Sequence, residues 1–557
     1  MTLIVALLVA AADPAVAYKE VDRAKVAGGE ASAKVATVVQ ALSDFEMPRS
    51  ATVLLSALAS DPQQSEAVRA AARAQLAARA GQDPALTHLL LSEQEEPGKL
   101  PPPLAVALAR GHLERALQLA PPEEGVAFES LRQEPQAQEV QPVAASAPSV
   151  DKDLAAEMGF TAAEPPPPAA AEAPKKVPAE VQRELDLARA LAGSVPAGDP
   201  AEGDAREVAA LVALAAGDPA TASKEFLAVA DLPVRRGDAL AAERRDKAYL
   251  QLARLAYQGG DDALSAQLYA RVGRGAPEWL DALFESSWAH FRRGEDEKAL
   301  GNLLTLHAPF FQERFFPESF VLKALVMYEN CRYADARASL AEFQQRYQPL
   351  HDGLVQTLAA LSTAQAAADL LTRGPVGLQQ VVPAAAREEV ARVSQSGDLR
   401  AALLAASQLA QEIDSIDRRP EPFRNSALIS RVAPLSRRAR LRLLEAAGRA
   451  LIARLSSERA TLRELLGQSL RLSYEIAGRE KELASGAAEA LTPQARKDPP
   501  QVQDDEELWP FQGEYWRDEL GSYRYQLGQR CKRPRTPPQT AAQPQPEPAK
   551  VAGTPGN

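Results

Sequence analysis

The sequence predicts an all-α protein: a solenoid of tandem helix pairs set between an N-terminal α-helical domain and a long C-terminal helix. Three observations carry this reading. A corner pattern recurs between residues 204 and 347, as Gly217-Asp218 followed by Ala222, Gly260-Asp261 followed by Ser265, Gly294-Glu295 followed by Ala299, and Cys331-Arg332-Tyr333 followed by Ala336. Ala, Leu, Arg and Glu are abundant while aromatic residues make up only 5% of the 557 residues, a composition that favours helices over strands. No stretch alternates apolar and polar residues as a half-buried strand would.

Residues 1–17 read as an export signal: an apolar run from Leu3 to Ala12, a helix-breaking Asp13-Pro14, and Ala15-Val16-Ala17 as a cleavage site. No Lys or Arg precedes the run, which leaves room for a start codon upstream. A short buried helix and an uncleaved anchor are the competing readings, and the run is too short for a standard membrane span. Export would place the chain in the periplasm, an oxidising compartment where its two cysteines, Cys331 and Cys531, can pair. Two free thiols are the alternative, because sequence separation says nothing of the few-ångström distance a disulfide requires.

Residues 18–129 are Ala-rich, with turns at Met47-Pro48, Asp61-Pro62, 81–84 and 101–103, and predict an N-terminal α-helical domain of degenerate repeats. Between 130 and 180 the composition shifts to Pro, Ala, Glu and Gln, which buries little and predicts an extended linker. Helical pattern resumes near Val181 and leads into a repeat array over 181–349. Corners Gly260 and Gly294 are 34 residues apart. Small residues stand where the two helices of a pair must touch: Ala253, Ser287 and Ala324 on the first helix, Ser265, Ala299 and Ala336 on the second.

The period and the small-residue placement resemble the tetratricopeptide (TPR) repeat, over about four units. Steps of 43 and 37 residues at the two ends, from Gly217 to Gly260 and from Gly294 to Cys331, depart from the strict period. The resemblance implies a concave face, lined by the first helix of each unit, that holds a peptide or protein. In this register the face receives Arg254 and Tyr257, then Phe284, Trp288, Phe291 and Arg292, then Leu325 and Tyr328. Aromatic residues at this density on one stripe often anchor interfaces. The other outcome is a stripe packed on a neighbouring helix, such as a C-terminal region folded back.

The region 350–495 predicts further helices near 354–371, 383–393 and 398–416, then a long helix over 435–491 with no proline. Apolar residues recur along it from Leu441 to Leu483, and Gly448, Glu458, Ser469 and Arg479 interrupt the stripe enough to weaken a dimeric coiled coil. Arg437, Arg438, Arg440 and Arg442 read as a solvated face or as a basic stripe for an acidic partner. A compact aromatic motif lies within 496–531, with Trp509, Phe511, Tyr515 and Trp516 as candidate docking residues. So many large aromatics must be buried against something, either the chain's own helices or a partner. The Pro/Gln/Ala-rich end, 532–557, predicts disorder.

Chemistry is sparse. The five histidines, His88, His112, His290, His307 and His351, lie apart from any metal-ligand spacing, and no phosphate-cradling loop or nucleophile elbow is present. A formal net charge of -11 argues against nucleic acid as a generic partner. The expectation is a non-enzyme with no cofactor, no metal and no small-molecule substrate.

The stretches from Pro277-Glu278-Trp279 to Trp288, from Pro317-Glu318 to Cys331-Arg332-Tyr333, and 509–531, together with the export signal, resemble the periplasmic TPR proteins of the bacterial adventurous gliding-motility envelope apparatus. That resemblance implies a non-catalytic scaffold whose partners are other envelope proteins. An envelope-maintenance adaptor that coordinates outer-membrane or cell-wall machinery is the alternative function.

Overall fold

A computed structural model describes residues 28–79, 83–91, 100–119, 178–485, 507–509 and 512–527. The expected export signal, nearly all of the linker, Phe511, Cys531 and the C-terminal tail lie outside the described residues. Among the described residues every regular element is a helix. In chain order these are α1 (Gly28–Asp44), α2 (Pro48–Ser60), α3 (Glu66–Arg79), α4 (Pro84–Leu91), α5 (Pro102–Leu119), α6 (Ala179–Gly193), α7 (Glu202–Ala215), α8 (Pro219–Ala230), α9 (Ala239–Gln258) and α10 (Asp262–Tyr269). They continue as α11 (Trp279–Arg292), α12 (Asp296–Leu306), α13 (Glu318–Glu329), α14 (Tyr333–Ala360), α15 (Ala364–Val381), α16 (Arg387–Ser394), α17 (Gly397–Ser415), α18 (Glu421–Arg424) and α19 (Ala427–Ala484).

Four helix pairs, α7/α8, α9/α10, α11/α12 and α13/α14, turn through the same corner. Gly217, Gly260 and Gly294 adopt φ of 75°, 82° and 73°, and Cys331 takes the same left-handed place with φ 57°. That conformation lets the next residue's N–H reach back five positions. Asp218 donates to Ala213, Asp261 to Ala256, Glu295 to His290 and Arg332 to Met327, all over 2.8–2.9 Å, which satisfies carbonyls the helix end leaves open. The Asp218 and Asp261 side chains then cap the second helix by accepting from Thr221 and Leu264 N–H groups. Each small residue expected at a crossing is fully buried: Ala222, Ala253, Ser265, Ser287, Ala299, Ala324 and Ala336. Ser265 Oγ donates across its pair to the Ala253 carbonyl over 2.9 Å.

The chain divides into two compact units. The first holds the described residues within Met1–Ala248, Leu361–Gly377 and Ser394–Ile452. Its core combines Leu42, Leu54, Leu76 and Leu104 with Val181, Val208 and Val212, and with Leu428 and Val432 from the start of α19. The sequence boundaries at 129 and 181 therefore do not separate cores: short amphipathic helices bury their stripes only by pooling them. A carboxylate closes this unit. Glu412 on α17, 6% exposed, accepts from Arg49 N–H (3.0 Å), Ser50 N–H (2.8 Å) and Ser50 Oγ–H (2.7 Å), at the N-terminus of α2. Met47, in the capping position, supplies no side-chain acceptor there, so a residue more than 360 positions away does.

The second unit holds the described residues within Tyr249–Ala360, Leu378–Val393 and Ala453–Asn557. Two helices run further than the sequence suggests, and each contains a proline. Pro349 is within α14 and Pro434 within α19, so α19 starts at Ala427 rather than at 435 and spans 58 residues. Each proline removes the N–H that would bond the carbonyl four residues earlier, at Gln345 and Ser430, and both residues are exposed.

In this second unit Arg392 of α16 bonds both Glu389 and Glu458. Burial, and then the neighbouring Glu389 carboxylate, push the Glu458 carboxyl up to about 8, against the pull of Arg392. A carboxyl raised in the folded state favours folding below its unfolded range and ceases to do so as pH climbs through about 8. Urea unfolding of the wild type between pH 5 and 9 is expected to show a loss on the order of 1–3 kcal/mol, and Glu458→Gln to remove most of that slope. In the first unit, Glu412→Ala leaves three donors without an acceptor and is expected to cost about 1–3 kcal/mol in the same assay at pH 7.

Candidate protein-interaction site

Helix α11, with the sequence WLDALFESSWAHFR, is buried on nearly every side, at Leu280, from Ala282 through Ala289 and at Phe291. The aromatic stripe expected to line an open face is therefore core. Phe284 is fully buried with its ring 5.8 Å from that of Phe316, and Trp288 and Phe291 meet edge to face at 5.9 Å. Tyr257 joins them, as do Leu472 and Ile476 from the second half of α19 and Leu527 from the C-terminal segment. Of the two outcomes the sequence leaves for this stripe, the packed one is found.

The polar members of the expected face are equally committed. Arg254 forms a forked pair with Glu285, which is 1% exposed, and Tyr269 donates to the same carboxylate over 2.9 Å. Burial acts to lower the Arg254 pKa, but the Glu285 carboxylate outweighs it and holds the guanidinium well above its usual value. Arg292 pairs with Asp262 at 3.1 Å and lies 4.3 Å over the Tyr257 ring. Leu325 and Tyr328 are half-buried against the same cluster, and burial raises the Tyr328 pKa while Arg479 of α19 acts to lower it.

What the second unit does expose is the aromatic motif near its end. Trp509 is 53% and Trp516 45% exposed, with ring centroids 4.7 Å apart, and Leu508 is 47% exposed beside them. The rings are braced. Trp509 Nε1–H donates to Glu514 Oε1 (2.6 Å), and the other Glu514 oxygen accepts from Gln512 N–H (3.0 Å). These bonds hold the Glu514 carboxyl below its ordinary value. Tyr523 Oη accepts from Trp516 N–H (3.0 Å) and donates to the Trp516 carbonyl (3.3 Å). Arg517 lies 5.0 Å over the ring of Phe310, itself 46% exposed. Glu507, Asp518 and Glu519 are exposed around this patch. Tyr515 is half-buried, and Phe511 lies outside the described residues.

The motif is positioned by residues that sequence reasoning did not single out. Its continuation, 518–527, crosses α12 and touches Glu297, Gly301 and Thr305, with Arg274 and Trp279 beside it. Gly301, a glycine inside a helix, was the one signal available, since such a residue often marks a close backbone approach. Cys331 is disulfide-bonded, which sets aside the free-thiol reading for it, while Cys531 lies outside the described residues. No cluster of metal-ligating side chains and no helix long and apolar enough to cross a membrane occurs among the described residues.

Because the stripe is core, Phe284→Ala or Trp288→Ala is expected to lower stability by about 3–5 kcal/mol. A thermal melt followed by circular dichroism checks this; an unchanged melt would mean that neither ring is packed as described. Compared with known proteins, the chain matches no protein-family model and no curated protein.

Proposed function

We propose that the chain is a non-catalytic, TPR-type scaffold of the periplasm that binds envelope proteins, within a gliding-motility or related envelope complex. One observation carries the interaction role: the Trp509–Trp516 pair is about half exposed yet held by three hydrogen bonds, with a fourth fixing its Glu514 brace. Large rigid aromatics held at a surface make strong anchors, because little side-chain entropy is lost when a partner covers them. The four helix pairs with a common corner support the TPR assignment. The disulfide at Cys331 supports an oxidising compartment.

The working face in this reading is the C-terminal aromatic patch rather than the buried stripe. The exposed charged residues flanking the pair in sequence are three carboxylates, Glu507, Asp518 and Glu519, against one guanidinium, Arg517, which favours a partner that brings Arg or Lys to the tryptophan faces. Native pull-down from the envelope fraction tests it, comparing wild type with Trp509→Ala/Trp516→Ala. The expected result is a defined set of envelope proteins on the wild type, weakened by rising salt, and a loss of at least about tenfold on the variant at unchanged helix content. An identical set on both proteins would refute the patch as the working face.

A further inference from the structure

Most of the hydrogen bonds that attach segment 518–527 to the helices of the second unit are made by its main chain. Gly521 N–H donates to Thr305 Oγ1 (2.9 Å), Tyr525 N–H to the Glu297 carbonyl (2.9 Å) and Leu527 N–H to Glu297 Oε1 (3.1 Å). From the other side Arg274 reaches the Asp518 carbonyl and Ser522 Oγ, each at 2.7 Å. Glu297, Gly301 and Thr305 are spaced four apart and form one row along α12.

The fit is close at two glycines. A Cβ at position 301 would stand 1.8 Å from the Tyr523 carbonyl oxygen, so only glycine lets the segment lie on the helix. Gly521, at φ 87°, passes under Trp279, whose ring a Cβ there would approach to 2.8 Å. Leu520 and Leu527 bury their side chains at the two ends, 6% and 5% exposed. The row on α12 thus has three features of a ligand site: donors and acceptors matched to a main chain, a floor without a side chain, and two apolar sockets.

We infer that the α12 row of Glu297, Gly301 and Thr305, with Arg274 and Trp279, is a binding site for a non-helical peptide carrying a Leu-Gly turn and a second leucine six residues after the glycine. In the isolated chain the site is occupied by the chain's own residues 518–527. A tethered segment presents itself at an effective concentration on the order of millimolar. A peptide in trans therefore binds only weakly until the chain's own segment is released, and the contact is autoinhibitory. The inference is independent of the Trp509–Trp516 face, because it concerns a different surface and a different ligand.

The test uses the full chain and a fluorescent synthetic peptide of residues 515–527, read by anisotropy. Gly521→Val, combined with Cys331→Ser and Cys531→Ser, disfavours docking of the chain's own segment and leaves every site residue in place. Saturable one-to-one binding is expected on this triple variant, and binding at least about tenfold weaker on the oxidised wild type. The same peptide carrying Gly521→Val is expected not to bind. Equal affinity for wild type and variant overturns the inference, as does equal binding by the Gly521→Val peptide. So does no binding to a triple variant that keeps its helix content. Loss of helix content in the triple variant overturns it too, because an exchangeable segment cannot be what holds the helices together.

Discussion

Where the chain leaves one helix of a pair and enters the next, a single residue must turn into the left-handed region so that the following N–H can reach back to a carbonyl five positions earlier. The same turn fixes the angle at which the second helix returns. Only a small residue then fits at the crossing, which is why Ala253 faces Ser265 and why the matching positions in later pairs are Ser or Ala. With the backbones this close, side chains such as Phe284 and Tyr269 have no path to solvent and must be packed or paired. The buried Glu285 is the clearest consequence: it is tolerated because Arg254 and Tyr269 both reach it.

The corners and crossings were legible because they depend on local chemistry, glycine at positive φ and small side chains at a fixed offset. The fate of the aromatic stripe was not. A row of Phe284, Trp288 and Phe291 looks the same in sequence whether it faces a partner or the chain's own Leu472 and Ile476, which follow Phe284 by 188 and 192 positions. Pro349 and Pro434 stand at the edges of the expected segments 181–349 and 435–491, yet each lies inside a helix and removes only one backbone bond, next to an exposed residue. The docking row on α12 left one trace, Gly301, while Glu297 and Thr305 are ordinary surface residues of a helix until the segment crossing them is known.

The aromatic density around Trp509 calls for burial, and the structure divides the motif. Leu520 and Leu527 go inward, Tyr523 and Glu514 serve as braces, and the two indoles remain outside. One short segment thus combines an inward half that fastens it to α12 with an outward half that displays aromatic surface. A change to either half has a distinct signature, since loosening the first disorders the display while altering the second leaves the fastening intact.

The Glu412 cap carries a consequence for the order in which the protein acquires structure. Helix α2 is made early, but the acceptor for its first N–H groups arrives 362 residues later, and so do Leu428 and Val432, which complete the same core. At ordinary synthesis rates that interval is roughly 20–70 s. During it the N-terminal helices carry exposed apolar stripes and an uncapped end. The first unit therefore cannot mature as it emerges; its N-terminal residues wait for those at 412–432, and a chaperone has a long window in which to hold them.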